Sequence, residues 1–235
     1  RLNRRQALGL IAVTASGGAF LPGTAMAAET SAYDGLSLFG QGAGVCQITP
    51  EVTEGPFYFD PKLERADISE GRPGIPLTVR LQIVDAACTP IPSARVFLCH
   101  CGAQGAYSGY PGQGDGRDVD TTGQTFLRGW QDTDASGIAT FSTIYPGWYR
   151  GRTTHIHFKV MPDTGWVMTG QLFFPDALSE QIFMTVAPYD DRPGKRDTFN
   201  VHDGIAREAG PTSQAALREL KDAYEAMIIV AVKPG

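Results

Sequence analysis

The chain has 235 residues, of which 42% are hydrophobic and 19% charged, and its formal net charge is −5. This length allows one large domain or two small ones. The composition is that of a soluble globular protein, which excludes a disordered acidic tail, a coiled coil and a protein with several membrane spans. A nucleic-acid-binding protein would need a basic face, so the acidic balance excludes that class of partner as well.

The N-terminal segment has the layout of an export signal. Residues 1–27 contain three arginines within the first five positions and no acidic residue, then an apolar run of small residues and the sequence Ala25-Met26-Ala27. A basic start, a short apolar middle and a small-residue cleavage site are typical of such signals, and the paired arginines resemble the twin-arginine type. The apolar run is too short and glycine-broken to predict stable membrane insertion. We therefore expect an exported protein, periplasmic or extracellular, with its domain in residues 28–235; a disordered basic N-terminus is the alternative.

Four cysteines follow this segment: Cys46, Cys88, Cys99 and Cys101. An oxidising compartment permits disulfides, and four cysteines allow three complete pairings. We predict one structural disulfide, between Cys46 and either Cys88 or Cys101. A zinc site around Cys99, His100 and Cys101 is the alternative, although these cysteines lack the usual two-residue spacing and no second pair accompanies them.

Short apolar patterns separated by turn residues predict the secondary structure in chain order. Alternating apolar and polar residues at 77–85 predict a half-buried strand. Further strands are predicted over 94–100, 138–144, 154–161 and 169–174, then a helix over 214–224 and a strand over 227–232. The Gly-rich segment 107–120 is too long for a hairpin turn and is a candidate functional loop. Many short strands joined by turns predict an all-β fold, a sandwich or barrel with long loops and at most short helices.

The strand predicted from residue 154 carries the sharpest chemical signal, T-H-I-H-F-K-V. Side chains alternate between the two faces of a strand, so His155, His157 and Lys159 share one face and the apolar residues share the other. Two imidazoles on one rigid element suit a metal site. Two surface histidines on a solvated face are the alternative.

The turn before this strand, Y-P-G-W-Y-R-G-R at residues 145–152, contains two tyrosines, a tryptophan and two arginines. Neutral imidazoles bind zinc, copper or iron, whereas phenolate oxygen is a hard, anionic ligand that favours a trivalent ion. A phenol has a pKa of roughly 10, so the metal must lower that pKa before the oxygen can bind near neutral pH. A zinc site that uses only the histidines is an alternative interpretation, but it leaves the tyrosines unexplained.

Together with V-F-L-C-H-C-G-A-Q-G-A-Y-S-G-Y (residues 96–110) and T-P-E-V-T-E-G-P-F-Y (residues 49–58), these blocks resemble the intradiol ring-cleavage dioxygenases. That family includes protocatechuate 3,4-dioxygenase and catechol 1,2-dioxygenase, and the likeness is greatest to its exported, single-domain relatives. The resemblance spans roughly Cys46 to Val232. It implies a β-sandwich holding one non-haem Fe(III) per chain. It also implies cleavage of a catechol-type ring by O₂, between the two hydroxyl-bearing carbons, to a muconate-type diacid.

The resemblance also assigns residues to roles. The implied metal ligands are Tyr107, Tyr149, His155 and His157, and the implied catalytic residues are Tyr149, Arg152 and Gln171. Tyr149, as the axial ligand, would dissociate and take a substrate proton. Arg152 would stabilise charge on the ring, and Gln171 would orient the substrate. Tyr110 and Tyr145 are alternatives for the two tyrosine positions.

The chain departs from the family at one motif, because many relatives have D-x-W-H-C where residues 97–101 read F-L-C-H-C. The ligand positions are intact, but inference of the substrate is weakened. His100 is expected to be a hydrogen-bonded strand histidine, and His202 a solvated one. Lys159 is expected either to meet a carboxylate on the substrate or to be solvated at the strand end.

Two functions from other classes stay open: an exported β-sandwich that binds an aromatic compound or a metal without turnover, and a zinc or copper enzyme built on the histidine pair. The partners expected for the dioxygenase are a catechol and O₂. Residues expected to shape the pocket are Thr53, Pro56, Tyr58 and the loop from Gly109 to Arg117. The sequence does not decide which catechol is bound, or whether the chain forms a homodimer.

Overall fold

Eight strands arranged in two sheets of four form the framework of the computed structural model, which describes residues 46–161, 167–192 and 194–233. The strands are β1 (Pro76–Val84), β2 (Arg95–Cys99), β3 (Arg128–Asp132), β4 (Ile138–Ile144), β5 (His155–Met161), β6 (Met168–Phe173), β7 (Ala216–Leu220) and β8 (Ala223–Ala231). Two helices, α1 (Asp176–Thr185) and α2 (Gly204–Ala209), and a 3-10 turn (Pro211–Ser213) follow β6. No helix in these described ranges is long and apolar enough to cross a membrane. The predicted export signal lies outside them.

The two sheets differ in how their strands pair. The first has the order β4-β1-β8-β7, in which β1 runs antiparallel to β4 and parallel to β8. The second has the order β3-β2-β5-β6 and is antiparallel throughout. The second sheet carries the predicted histidine pair on β5, so its register decides which side chains surround that pair.

One large apolar core joins the two sheets, with Val79 and Phe141 from the first and Leu98 and Phe158 from the second. All four side chains are fully buried, and burial of each stabilises the fold by roughly 1.5–3 kcal/mol. Gly170 on β6 makes this packing possible, because a Cβ there would lie 2.3 Å from the Phe158 ring. The predicted all-β sandwich with short helices is confirmed.

The helix predicted over 214–224 is wrong. Those residues form β7 and the start of β8, which pair antiparallel in the register Leu217↔Ala226. Asp222 adopts a positive φ of 62° in the turn between them, a conformation that ends any helix. Leu217 and Leu220, whose spacing suggested a helix, lie on this hairpin instead. Leu217 packs against the core, and Leu220 is exposed. β3, α1 and α2 were not predicted.

Cys46 and Cys88 form a disulfide, one of the two pairings predicted, with 5.2 Å between their Cα atoms. Cys99 and Cys101 are free and buried. Burial raises the pKa of Cys99 to about 11 and that of Cys101 to about 12. The described residues contain no group of three or more His, Cys, Asp or Glu placed to hold a metal, so the zinc alternative around these cysteines is wrong. His100 has both ring nitrogens in hydrogen bonds, Nδ1 with the Cys101 carbonyl oxygen at 2.9 Å and Nε2 with the Thr143 hydroxyl at 2.7 Å. The hydrogen bonding expected for His100 is confirmed, although the residue lies directly after the end of β2.

Candidate active site

Strand β5 brings two imidazoles together on the face of the second sheet that points away from the core. Nε2 of His155 and Nε2 of His157 are 3.1 Å apart, and both side chains are buried. Ile156 and Phe158, on the opposite face, are fully buried in the core. The alternation predicted for this strand is therefore present.

Hydrogen bonding fixes the proton of His155 on one nitrogen. Its Nδ1 lies 2.6 Å from the carbonyl oxygen of Thr153, which can only accept, so Nδ1 carries the hydrogen and Nε2 has a free lone pair. Nδ1 of His157 is buried without a hydrogen-bond partner. Burial lowers the pKa of both imidazoles well below the usual range, and the Arg152 cation acts in the same direction. Both rings are therefore neutral.

Two phenols complete the cluster. Tyr149 comes from the turn before β5, and its Oη lies 3.1 Å from Nε2 of His155. Tyr107 comes from the Gly-rich loop, and its Oη lies 3.4 Å from the same nitrogen. Burial raises the pKa of Tyr107 well above its usual value and that of Tyr149 to about 12. Two phenol oxygens and two imidazole nitrogens thus converge on one point.

The two alternative tyrosines are engaged elsewhere. The Tyr145 hydroxyl lies in the core, 2.8 Å from the hydroxyl of Ser179. The Tyr110 hydroxyl donates to the carbonyl oxygen of Tyr58 at 2.8 Å. His155 receives its phenol contacts from Tyr107 and Tyr149 instead.

Arg152 and Gln171 lie directly beside the cluster. Nη1 of Arg152 is 3.4 Å from Nε2 of His155, and its Nη2 donates to Oε1 of Gln171 at 2.6 Å. Gln171 faces His157 across the β5–β6 pair and donates from Nε2 to the carbonyl oxygen of Thr53 at 2.8 Å. The guanidinium therefore presents a fixed positive charge at the edge of the four donors.

Arg128 lies in the same row of cross-strand neighbours as His157 and Gln171. The sequence analysis did not identify it as a site residue. The register places it opposite Cys99, which in turn pairs with His157. Its side chain is fully buried, donates from Nε to Oγ of Ser108 at 2.7 Å, and packs against the ring of Phe59, 4.3 Å from the ring centroid. Arg128 thereby anchors the loop at the residue after Tyr107.

Residues 51–60 cross over the site as an extended strap. Gly55 has a φ of +74°, and a Cβ there would lie 3.1 Å from Cε1 of His157, so only glycine passes this point without displacing the imidazole. The ring of Phe57 stacks on that of Tyr107 with centroids 4.9 Å apart. Of the residues expected to shape the pocket, Thr53 contacts Gln171, whereas Pro56 is exposed.

Lys159 is held by side chains of the strap and is not solvated at the strand end. Its Nζ forms an ion pair with Glu54 of the strap at 2.6 Å and lies 4.3 Å from the ring centroid of Tyr58. The ring of Tyr58 in turn packs edge-on against Phe97. The expectation that Lys159 is solvated at the strand end is therefore wrong, whereas its contact with a carboxylate on the substrate stays a prediction.

Asp203 is a buried carboxylate that the sequence analysis missed. Its Oδ2 accepts from Nε of Arg152 at 2.8 Å and from the backbone N–H of Thr153 at 2.9 Å. Burial alone would raise its pKa, but these donors outweigh that effect and hold the pKa below its usual value. The signal was an Asp directly before the helical pattern G-I-A-R-E-A, a typical N-cap. His202, the preceding residue, is exposed, as expected.

A cavity of about 490 Å³ lies elsewhere, lined among others by Arg72, Asp115, Phe126 and Arg192. None of the four converging donors lines it, and neither does Arg152 or Gln171. The candidate active site is therefore located by the convergence of the two phenols and two imidazoles, not by the position of this cavity.

A scan against protein-family models and a search of curated proteins found no match. Solved structures do match. An intradiol ring-cleavage dioxygenase from Tetranychus urticae is 33% identical with a TM-score of 0.72, and the match covers 80% of this chain and 96% of that one. The dioxygenase domain of a dioxygenase carbohydrate-binding protein fusion from Streptomyces sp. SirexAA-E is 27% identical with a TM-score of 0.61, covering 80% and 100%.

A catechol 1,2-dioxygenase from Pseudomonas arvilla C-1 shares the fold at 21% identity, with a TM-score of 0.57, and covers 80% of this chain and 62% of that one. The sandwich and its buried cluster of phenols and imidazoles thus occur in a chain similar to ring-cleaving dioxygenases. This chain belongs to the intradiol ring-cleavage dioxygenase family.

Proposed function

We propose that the protein is an Fe(III)-dependent intradiol dioxygenase. It cleaves a catechol-type ring between the two hydroxyl-bearing carbons and uses O₂ to form a muconate-type diacid. The observation that carries this proposal is the convergence of Tyr107, Tyr149 and His157 on Nε2 of His155, at 3.1–3.4 Å. Membership of the family, with relatives named as intradiol and catechol 1,2-dioxygenases, supports the same reaction.

The four donors fit a ferric ion. Two neutral imidazoles and two phenols that ionise on binding form a hard, anionic ligand set, which favours a trivalent ion over zinc or copper. In the part of the chain that the structure describes, no group of three or more His, Cys, Asp or Glu residues is placed to hold a metal. The phenols of Tyr107 and Tyr149 therefore have to supply half of the ligands.

A ferric ion bound there would supply Lewis acidity, which favours the dianion of a catechol and activates its ring towards O₂. Tyr149 is the more exposed of the two phenols and is suited to move a proton. Ionised by the ferric ion, the Tyr149 phenol would offer Oη as the atom that takes a proton from a catechol hydroxyl.

The groups beside the donors orient the substrate and stabilise charge. The Arg152 guanidinium lies next to Nε2 of His155, where it stabilises negative charge that develops on the ring oxygens. Gln171 is held between Arg152 and the Thr53 carbonyl, so it presents a fixed polar wall to the ring. Phe57 and the strap limit access of water to this face.

We also propose that the protein acts outside the cytoplasm, in the periplasm or the extracellular space. Two features support this location: the signal-like residues 1–27 and the Cys46–Cys88 disulfide, a bond that forms and persists in oxidising compartments.

The test is a visible absorption spectrum of the purified protein, with metal content and oxygen uptake measured on the same sample. We expect about one iron per chain, a broad tyrosinate-to-iron band, and oxygen uptake when a catechol is added. A band that shifts with catechol without oxygen uptake would indicate a binding protein. A colourless protein whose activity is restored by zinc or copper would indicate a metalloenzyme built on the histidine pair alone.

A further inference from the structure

The carboxylate of Asp203 is not one of the four proposed metal ligands, but it binds two residues beside them, Arg152 and Thr153. Each oxygen of Asp203 accepts two hydrogen bonds: Oδ1 from the backbone N–H groups of Ile205 and Ala206, and Oδ2 from Thr153 and Arg152. The Asp203 side chain is 2% exposed. A buried carboxylate with four donors is held in one orientation, so it can fix the orientation of whatever binds it.

Its first connection is to the guanidinium of Arg152. Asp203 binds Nε, while Gln171 accepts from Nη2 and Nη1 points to Nε2 of His155. All three nitrogens of the guanidinium therefore have a partner, and Asp203 supplies the only ion pair that Arg152 makes within the described ranges. Without Asp203 the flexible arginine side chain would keep only its hydrogen bond to Gln171 and the longer 3.4 Å contact with His155.

Its second connection runs through Thr153 to His155. Asp203 holds the N–H of Thr153, and the carbonyl oxygen of Thr153 accepts the Nδ1 hydrogen of His155. That hydrogen bond keeps the Nε2 lone pair of His155 directed into the cluster. Asn200 holds the Thr153 hydroxyl at 2.8 Å, so the same loop contacts this residue twice.

We propose that Asp203 is a positioning residue for the ring-cleavage reaction: it aims Arg152 at the reacting face and, through Thr153, keeps His155 in the tautomer that binds a metal. This inference rests on the proposed function for its catalytic consequence. The geometric part, the fixed orientation of Arg152, does not depend on it.

Asp203 also caps α2, so the experiment has to distinguish loss of the helix cap from loss of the orientation of Arg152. Asp203→Asn supplies one acceptor oxygen instead of two, and its amide nitrogen must then face either the α2 donors or Arg152 and Thr153. The matched control is Glu208→Gly, an exposed substitution inside α2. It weakens the helix by about 1 kcal/mol and touches neither Arg152 nor Thr153.

The first measurement is a double-mutant cycle that combines Asp203→Asn with Arg152→Gln, with steady-state kinetics measured on iron-loaded protein. We expect Asp203→Asn to lower kcat/KM by about 10–100-fold, the range typical of groups that orient a metal ligand, while Glu208→Gly leaves kcat/KM unchanged. In an Arg152→Gln background, Asp203→Asn should cost little further activity, because most of its effect passes through that arginine. An equal loss in both backgrounds, or the same loss in Glu208→Gly, would overturn the proposal.

The second measurement uses metal-free protein and no substrate. In ¹⁵N-labelled protein, the Nε–H of Arg152, held by a carboxylate, should give a resolved, slowly exchanging signal. That signal should vanish or shift in Asp203→Asn and persist in Glu208→Gly. An unchanged signal in Asp203→Asn would refute the positioning role. A changed signal in a protein that never cleaves a catechol would refute the proposed function but keep the role of Asp203.

Discussion

Paired substitution of Tyr149 and Tyr145 by phenylalanine separates chemistry from packing, since the two lie in the same turn but their hydroxyls lie in different surroundings. The Tyr149 hydroxyl is 3.1 Å from Nε2 of His155, whereas the Tyr145 hydroxyl is 2.8 Å from Oγ of Ser179 in the core. Each substitution removes a single oxygen atom. Because the two oxygens lie in different surroundings, we expect Tyr149→Phe to lower activity and Tyr145→Phe to lower stability.

The magnitudes follow from these surroundings. Tyr149→Phe removes a proposed ligand and the base that takes the substrate proton, and a general base contributes about 10²–10⁴-fold. We expect kcat/KM to fall by that factor, equivalent to about 3–5 kcal/mol of transition-state stabilisation. Tyr145→Phe leaves the buried hydroxyl of Ser179 without its partner, which lowers the free energy of unfolding by about 1–3 kcal/mol and leaves kcat/KM unchanged.

The assay combines oxygen uptake with catechol, the visible spectrum of iron-loaded protein and urea unfolding for both variants. Tyr149→Phe should change the charge-transfer band and slow turnover at nearly unchanged stability. Tyr145→Phe should keep band and turnover but unfold at lower urea. The reverse pattern, with the band altered only in Tyr145→Phe, would refute the assignment of Tyr149.

Three further outcomes are expected. His157→Ala should abolish iron retention through dialysis, and iron content near one per chain in this variant would contradict its role as a ligand. Reduction of the Cys46–Cys88 disulfide, which closes a loop of 42 residues, should lower the free energy of unfolding by up to about 4 kcal/mol, while an unchanged melting temperature would show that the loop is constrained in other ways. Burial lowers the pKa of His100 from 6.5 to about 4, so only the unfolded chain takes up its proton between those values. Stability should therefore decline as pH falls through that window by about 3 kcal/mol from this group, and His100→Gln should flatten the pH dependence of urea unfolding.

The strands that alternate cleanly could be predicted from the sequence because their pattern matches how they are buried. β4 was predicted with the bounds it has, and β1, β2, β5 and β6 to within about two residues. β3 could not be found, because R-G-W-Q-D has no alternation and its role depends on pairing with β2. β7 and the first two residues of β8 were misread as a helix because the leucine spacing fits both structures, and the turn at Asp222 decides between them. The strand predicted over 227–232 is the C-terminal part of β8.

The proximity of the candidate site residues could be predicted only in part. The histidine pair follows from strand alternation, whereas the approach of Tyr107 to His155 depends on the path of a long loop and was expected only from the family resemblance. Asp203 and Glu54 were missed for one reason. Each meets its partner across the fold, Arg152 and Lys159 respectively, and no local pattern encodes such a contact.

The parallel pairing of β1 with β8 has a consequence for synthesis of the chain. All strands of the donor-bearing sheet lie between residues 95 and 173, so that sheet can form while the C-terminal strands are still missing. Until residues 223–231 are made, β1 is an edge strand with the alternating apolar and polar sequence P-L-T-V-R-L-Q-I-V and unpaired backbone groups. A chain that stops before residue 223 is therefore expected to aggregate through β1, even though all four proposed iron ligands have already been made.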